Sequence, residues 1–597
     1  MIKRRTRQKV ESRKLWDEDL TRAPLEGSRK RALIIITVIL FGFGVILFRL
    51  VDLMVLDHEK LSERAAQQYI REKTLTPQRG VIWDRKMREM ATNIETDSLY
   101  VVPARIRDTR NLSSALAPII KVSAGELEGV IHKKKDKGFA WLARRMDLET
   151  SRRLGELRAP FKEGEIGFVT EPKRYYPKGQ TASHILGFSN IDDKGIAGVE
   201  LVYDEYLKGE VKSVSVGMDA KGRSLASDIK ETVPGNNIIL TLDEGLQYIV
   251  ERELNAAMEE RKAKAAVAIM MDPMTGEILA LANRPTYDPN FPAAAGGEEK
   301  RNRAITDLYE PGSTMKSVLA SAALEEKAVR PGDLFDASRG AITVGGKTIH
   351  DVHRHGVLNF QEVIQKSSNV GAVKIGMRLG AAKYYEYLKK FGYGEKSGID
   401  FPGEIKGILR NVKNWSGTSL AAMSIGQEIG VTPLQMLRAY SAIANGGVLM
   451  KPYIVSEIIS PDGKVIKKNS PKEERRVISQ TTSATLRGIL KTVVEEGGTA
   501  QKASVKGNFV AGKTGTAQIF DPKTGRYSKN RFVSSFVGFA PADDPRVALI
   551  VVIYEPQGAT YGGLVAAPVF KNIIEHTFTY LDVPMETEEN RIYLVSK

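Results

Sequence analysis

From Ala32 to Phe48 the chain runs 17 residues without a charged side chain. A helix rising ~1.5 Å per residue over that run is roughly 25 Å long, the short end of a membrane crossing. The apolar pattern continues amphipathically to Leu56. A buried core helix fits poorly, because few core helices are apolar on every face. A cleaved signal peptide fits poorly as well: the run exceeds the usual ~7–15 residues and no small-x-small cleavage site follows. The reading is an uncleaved anchor over 32–56. Residues 1–31 hold 11 Lys and Arg against 5 Asp and Glu. That basic flank predicts a cytoplasmic tail, with everything after about residue 57 on the far side of an inner (plasma) membrane.

The formal charge of the 597-residue chain is +16. Six of those charges sit in the tail, and the rest are spread along the chain. Arg-rich or aromatic-interleaved stretches typical of nucleic-acid grooves are missing, so no nucleic-acid partner is expected. A basic exterior suits an anionic wall polymer or anionic lipids. Cysteine is absent, which removes disulfides, thiolate catalysis and thiolate metal sites.

Three short clusters carry the chemistry: Ser313-Thr314-Met315-Lys316, Ser367-Ser368-Asn369 and Lys513-Thr514-Gly515-Thr516. They supply a nucleophile, a base, a proton relay and an anion clamp, as a serine–lysine acyl-transfer site requires. Two of the patterns have second copies, at Ser227–Lys230 and Lys523–Gly525, and local structure separates them. Ser313 follows Pro311-Gly312 and opens a run to Val329 with Met315, Val318, Leu319 and Ala322 at helical spacing. It is therefore expected at a helix N-terminus, with Lys316 one turn on and on the same face. Ser227 lies in a polar loop. Lys513 reads as part of a strand whose small residues let a ligand approach the backbone. Lys523 follows Asp521-Pro522 in a hairpin tip like the one at Asp272–Gly276. Ser367 to Asn369 falls between helical patterns at Phe360–Lys366 and Val370–Leu379, where such residues are ordinarily caps.

After the anchor, residues 57–235 mix strand-like and helical pieces without a dense core signal. Their Arg and Asp residues read as ion pairs holding an elongated, poorly cored domain. Pro234–Asn237 reads as a boundary. From 236 to 582 a strand at 238–242, a helix at 246–258 and a hairpin at 266–282 precede the clusters. Strands at 532–540 and 547–554 and a helix at 568–581 follow them. Strands at both ends with helices between predict an α+β domain built on an antiparallel sheet. Residues 583–597 look like a polar tail. His353 and His355 would share a strand face, which hints at a metal; without a distant third ligand a surface connection is the better reading, and no metal or cofactor is expected.

In order and spacing the clusters resemble the serine acyltransferases that bind penicillin. The segments around Arg79-Gly80, Asp84-Arg85, Arg174, Gly195, Gly198 and Glu200 are similar to the pedestal (dimerisation) domain of class B penicillin-binding proteins. Glu310–Thr314, Ser424–Gln427 and Gly512–Thr516 are similar to their transpeptidase domain, with its penicillin-binding, serine β-lactamase-like fold. Glu310 before Pro311 and the Gly-Phe-Ala-Pro stretch at 538–541 resemble the division-specific branch. The resemblance implies a peptidoglycan D,D-transpeptidase of the septum, working through an acyl-enzyme at Ser313 that β-lactams trap. It also implies Lys316 as base, with burial beside Lys513 keeping its amine neutral, and Ser367 as proton relay. Asn369 would then bond the substrate amide, Lys513, Thr514 and Thr516 would grip the terminal carboxylate, and Gly515 would complete the binding strand. Partners implied are D-Ala-D-Ala stem peptides, a membrane-embedded division glycosyltransferase of the SEDS family and other divisome proteins. An elongation enzyme and a D,D-carboxypeptidase are the alternatives. The β-lactamase-like Glu251–Asn255 pattern precedes the nucleophile and reads as coincidence.

Overall fold

The computed structural model describes residues 25–57, 61, 70–74, 77–157, 164–210, 213–217, 233–521 and 524–584. The expected turn at Lys523, the polar loop at Ser227–Lys230 and the tail beyond Pro584 lie wholly or in part outside them. Two units are distinguished, residues 1–75 with 212–231, and 76–211 with 232–597. The first carries α1 (Leu25–Val51), extended by a π-helical turn to Leu56. Within Arg29–Leu56 an 18-residue window reaches a mean hydropathy of 2.7, and none of that window is buried, as an anchor helix requires. Strands Ile70–Thr74 and Ser213–Gly217 pair antiparallel in the same unit.

In the second unit the pedestal region is built from β1 (Ile82–Trp83), β2 (Glu89–Val101), α2 (Thr109–Ile120), α3 (Ala124–Lys133), β3 (Ala140–Ala143), α4 (Leu148–Glu156) and β4 (Ile166–Tyr175). Asp108, Ser123 and Asp147 cap the three helices by accepting from backbone N–H groups, which satisfies donors the helices leave free. The expectation of a poorly cored domain is corrected: Leu99, Val101, Leu112, Leu116, Leu127, Ile131 and Leu154 form a buried cluster. Charged residues between those positions hide it in the sequence, since each helix contributes only a narrow apolar stripe.

The expected ion pairs are present and deep. Glu200, fully buried, receives Arg79 Nη2 at 2.7 Å and Arg174 Nε at 2.6 Å. Arg79 Nη1 also reaches Asp204 at 2.7 Å. Removing one member of such a network strands a charge away from water, a change that costs about 3–5 kcal/mol.

β5 (Asn237–Leu240) lies just past the expected boundary, yet it pairs parallel with β1 and antiparallel with β8 (Val455–Ile459). The sheet runs β9 (Val465–Lys468), β8, β5, β1, β2, β3, with β4 also on β2. It therefore joins the pedestal region to the segment that follows.

The second sheet uses β6 (Ala265–Met271), β7 (Ile278–Arg284), β10 (Ala511–Asp521), β11 (Arg526–Ala540) and β12 (Val547–Tyr554). Its order is β10-β11-β12-β6-β7, antiparallel throughout. β6 and β7 are buried at every position and β12 at every position but its last, as strands covered on both faces must be. α5 (Glu244–Arg261) and α9 (Gly562–Leu581) pack together and against this sheet. α6 (Met315–Glu325), α7 (Asn369–Leu379) and α8 (Pro433–Ala444) fill the remainder. α6 is buried along its first nine residues, Met315 to Ala323, so the Lys316 amine is placed inside the core.

Candidate active site

Ser313 sits in a 3-10 turn, Gly312–Thr314, that feeds directly into α6. The turn is held from two sides. Tyr440 on α8 donates its hydroxyl to the Thr314 carbonyl at 2.9 Å, and Gly312 N donates to the Gly426 carbonyl at 3.1 Å. Gly426 has φ +78°, and a Cβ there would lie 2.0 Å from the Gly312 carbonyl oxygen. Only glycine fits. Gly515 on β10 meets the same turn: a Cβ there would stand 2.8 Å from the Pro311 carbonyl oxygen. β10 therefore lies against the Ser313 turn, and Thr516 follows beside Gly312.

Lys316 Nζ donates to the Ser367 carbonyl at 2.7 Å and to Asn369 Oδ1 at 2.7 Å, and it lies 3.2 Å from Ser367 Oγ. Lys316 is fully buried, and that burial pushes its amine down to about 7, with the Asp351 carboxylate pulling the other way. Lys513, equally buried, is held well below the usual lysine range by burial and by repulsion from Lys316. The expectation thus holds in part. Burial favours the neutral Lys316 amine, while the repulsion between the amines weighs on Lys513. Among the described residues the Ser313 hydroxyl has no hydrogen-bond partner, so the Lys316 contacts that exist run to the second cluster. Contacts of this kind commonly tighten only when substrate binds.

Ser367 adopts φ +57°, a left-handed conformation rare outside glycine. Ser368, not its neighbours, caps α7 by accepting from Gly371 N. The capping role the sequence offered for the whole cluster therefore belongs to its middle residue, which frees Ser367 and Asn369 to face Lys316. Asn369 is committed at both ends, Oδ1 to Lys316 and Nδ2 to the His350 carbonyl at 2.8 Å. Lys513 Nζ lies 3.3 Å from Thr514 Oγ1, which is also 3.1 Å from Thr499 Oγ1. Thr516 Oγ1 accepts from Gly562 N at 2.9 Å, which leaves its proton for a ligand.

Sequence reasoning missed Asp351, Thr499 and Tyr440. Asp351 bonds Asn369 N, accepts from Val370 N at 3.0 Å, and accepts from Ser368 Oγ at 2.8 Å. In sequence its stretch reads as a surface connection with a hint of metal. His353 and His355 indeed lie in a connection rather than a strand, between Lys347–His350 and Val357–Asn359. Glu251 of the β-lactamase-like pattern accepts from Ala182 N and Gln247 Nε2 on α5, a structural role.

A cavity of about 720 Å³ lies farther along β10, lined by Glu310, Tyr309, Arg303, Ala517, Ile519 and Phe520 among others. Burial pushes the Glu310 carboxyl up, and its Oε1 accepts from Tyr527 Oη and Glu428 N, both at 2.9 Å.

Residues 266–575 match the penicillin binding protein transpeptidase domain, and residues 74–240 match the penicillin-binding protein dimerisation domain. The chain is 37% identical over 571 residues to stage V sporulation protein D of Bacillus subtilis, covering 93% of this chain and 86% of that protein. It is 33% identical over 544 residues to the peptidoglycan D,D-transpeptidase FtsI of Escherichia coli, covering 90% and 89%. The crystal structure of penicillin binding protein 3 from Mycobacterium tuberculosis with ampicillin is similar at a TM-score of 0.68 and 29% identity, over 86% of this chain and 98% of that one. The buried lysine, the strained serine and the strand that meets the Ser313 turn thus stand in a known setting: the chain belongs to the penicillin-binding protein family, among its class B members.

Proposed function

We propose that this D,D-transpeptidase cross-links peptidoglycan stem peptides at the division septum, with residues 57–235 as pedestal and 236–582 as catalytic domain. The observation that carries the mechanism is the Lys316 amine, buried, inclined to lose its proton, and within 3.2 Å of Ser367 Oγ. Ser313 Oγ attacks the carbonyl carbon of the penultimate D-Ala while Lys316 Nζ takes the hydroxyl proton. Backbone N–H groups of Ser313 and Thr516 receive the developing oxyanion. As the tetrahedral intermediate collapses, the proton passes through Ser367 to the departing D-Ala nitrogen, leaving an ester on Ser313. An amine of a second stem peptide then attacks that ester and releases the cross-linked product.

Lys513, Thr514 and Thr516 hold the terminal carboxylate, and Gly515 lets the peptide lie close to β10. The negative charge of an arriving carboxylate would favour the ammonium form of Lys513, which would take up a proton from solvent against the effects of burial and Lys316. Asn369 holds Lys316 in place and offers its remaining Oδ1 lone pair to the substrate amide. α1 serves as a single-pass anchor with residues 1–31 cytoplasmic and the catalytic domain periplasmic. Strand polymerisation then falls to a membrane-embedded glycosyltransferase of the SEDS family.

A fluorescent penicillin is expected to label the chain, and Ser313→Ala to abolish labelling; persistent labelling of that variant overturns the assignment. Division is read from a fluorescent fusion, with mid-cell signal expected and lateral-wall signal counting for elongation instead.

A further inference from the structure

A second cavity, of about 450 Å³, opens between the pedestal and the segment leading to the nucleophile. Its walls come from the end of β4, the loop Phe188–Ile191 and residues 289–300. Four basic residues line it, Arg145, Lys173, Arg174 and Lys300, and no acidic one does. The arginines are incompletely satisfied. Arg174 gives Nε to Glu200 and Nη1 to the Gly80 carbonyl at 2.7 Å, but its buried Nη2 has no acceptor. Arg145 bonds Asp193, yet its buried Nε has no hydrogen-bond acceptor, with Glu171 Oε2 4.0 Å away.

The carboxylates behind these arginines are largely spoken for, Glu200 by Arg79 and Glu171 by Arg144. Arg145 is also strained, with φ +54°, and such positions cluster at binding sites. Lys173 and Lys300 make no ion pair among the described residues; Lys300 Nζ lies 5.8 Å from the Phe188 ring centre. Tyr176, Phe188, Ile191 and Pro292 complete an apolar wall. Two unpaired lysines beside two arginines, with no acidic residue in the lining, form a basic wall suited to an anion, and the volume is that of a small-molecule site.

We infer that this cavity is a second, non-catalytic binding site for an organic oxyanion, a carboxylate or phosphate carried on a small apolar body. Occupancy would bridge the pedestal to residues 289–300, which lead through Arg303–Thr306 to Ser313. Only the wall-derived source of such an anion rests on the proposed function.

The test uses the full chain in detergent micelles, treated with a penicillin so that any clamp at Lys513 is covered. Calorimetric titration with glycerol 3-phosphate reads the phosphate source, and N-acetylmuramyl-L-alanyl-D-glutamate reads the wall carboxylate source. One of the two is expected to saturate a single site, and Lys173→Glu and Lys300→Glu are each expected to weaken it about tenfold or more. Lys300→Ala replaces either variant that loses the wild-type melting temperature. Absence of saturation by both probes up to about 10 mM, or binding indifferent to these substitutions, overturns the site. Penicillin labelling of the same sample reports on Ser313 separately, so the two proposals fail independently.

Discussion

Lys316 can take a proton only as a neutral amine, and its surroundings set how often that form occurs. Burial disfavours the cation and the Asp351 carboxylate favours it, while the repulsion between the two amines weighs on Lys513. Acylation of Ser313 by a penicillin is therefore expected to rise with pH through about 7 and then level off. Asp351→Asn keeps the shape that holds Asn369 and Val370 but removes the negative charge, so its rising limb should move to lower pH; stopped-flow acylation across pH checks both. The sign for stability runs the same way. The unfolded chain keeps the Lys316 proton up to about 10.4 while the folded chain releases it near 7, so stability from this group grows with pH between those values. The clusters were legible in sequence because the residues proposed as nucleophile, base and clamp lie in three short, ordered stretches. Asp351 was not, because nothing in His350–His355 reveals that the carboxylate reaches three donors on residues 368–370.

At the scale of elements, the site is a meeting of one turn, one junction and one strand. Gly426 passes against the turn at Ser313 with no room for a Cβ, so Gly426→Ala is expected to lower acylation about 10²-fold through misplacement of Ser313. The comparison is the second-order acylation rate of the variant with that of wild type. The hairpin at Asp272–Gly276 and the strand bearing Lys513 were both readable, the first from turn chemistry and the second from its apolar approach and small residues. The left-handed Ser367 was not readable. A Ser-Ser-Asn stretch offers three capping candidates, and only the packing of Lys316 and Asp351 around it decides that Ser368 caps while Ser367 turns inward.

For the whole molecule, the informative strand is β5, which sits between β1 of the pedestal region and β8 of the segment beyond it. Ile238 and Leu240 are fully buried there. A fragment of residues 236–584 would leave β5 with an open edge, and such edges invite aggregation. It is expected to melt lower and to yield less soluble protein than a fragment of residues 77–584, measured side by side by thermal unfolding. The boundary at Pro234-Gly235 looked clean in sequence because punctuation residues mark a turn, not the partners of the strand after it. That pairing would also have a mechanical meaning if α1 tethers the chain beside a wall under turgor, as proposed. Tension arriving at residue 77 pulls β1 backward from its start, and tension leaving at residue 241 pulls β5 forward from its end. Because the two strands run parallel, their hydrogen bonds are loaded together in shear rather than peeled one at a time, the geometry that best withstands a steady pull.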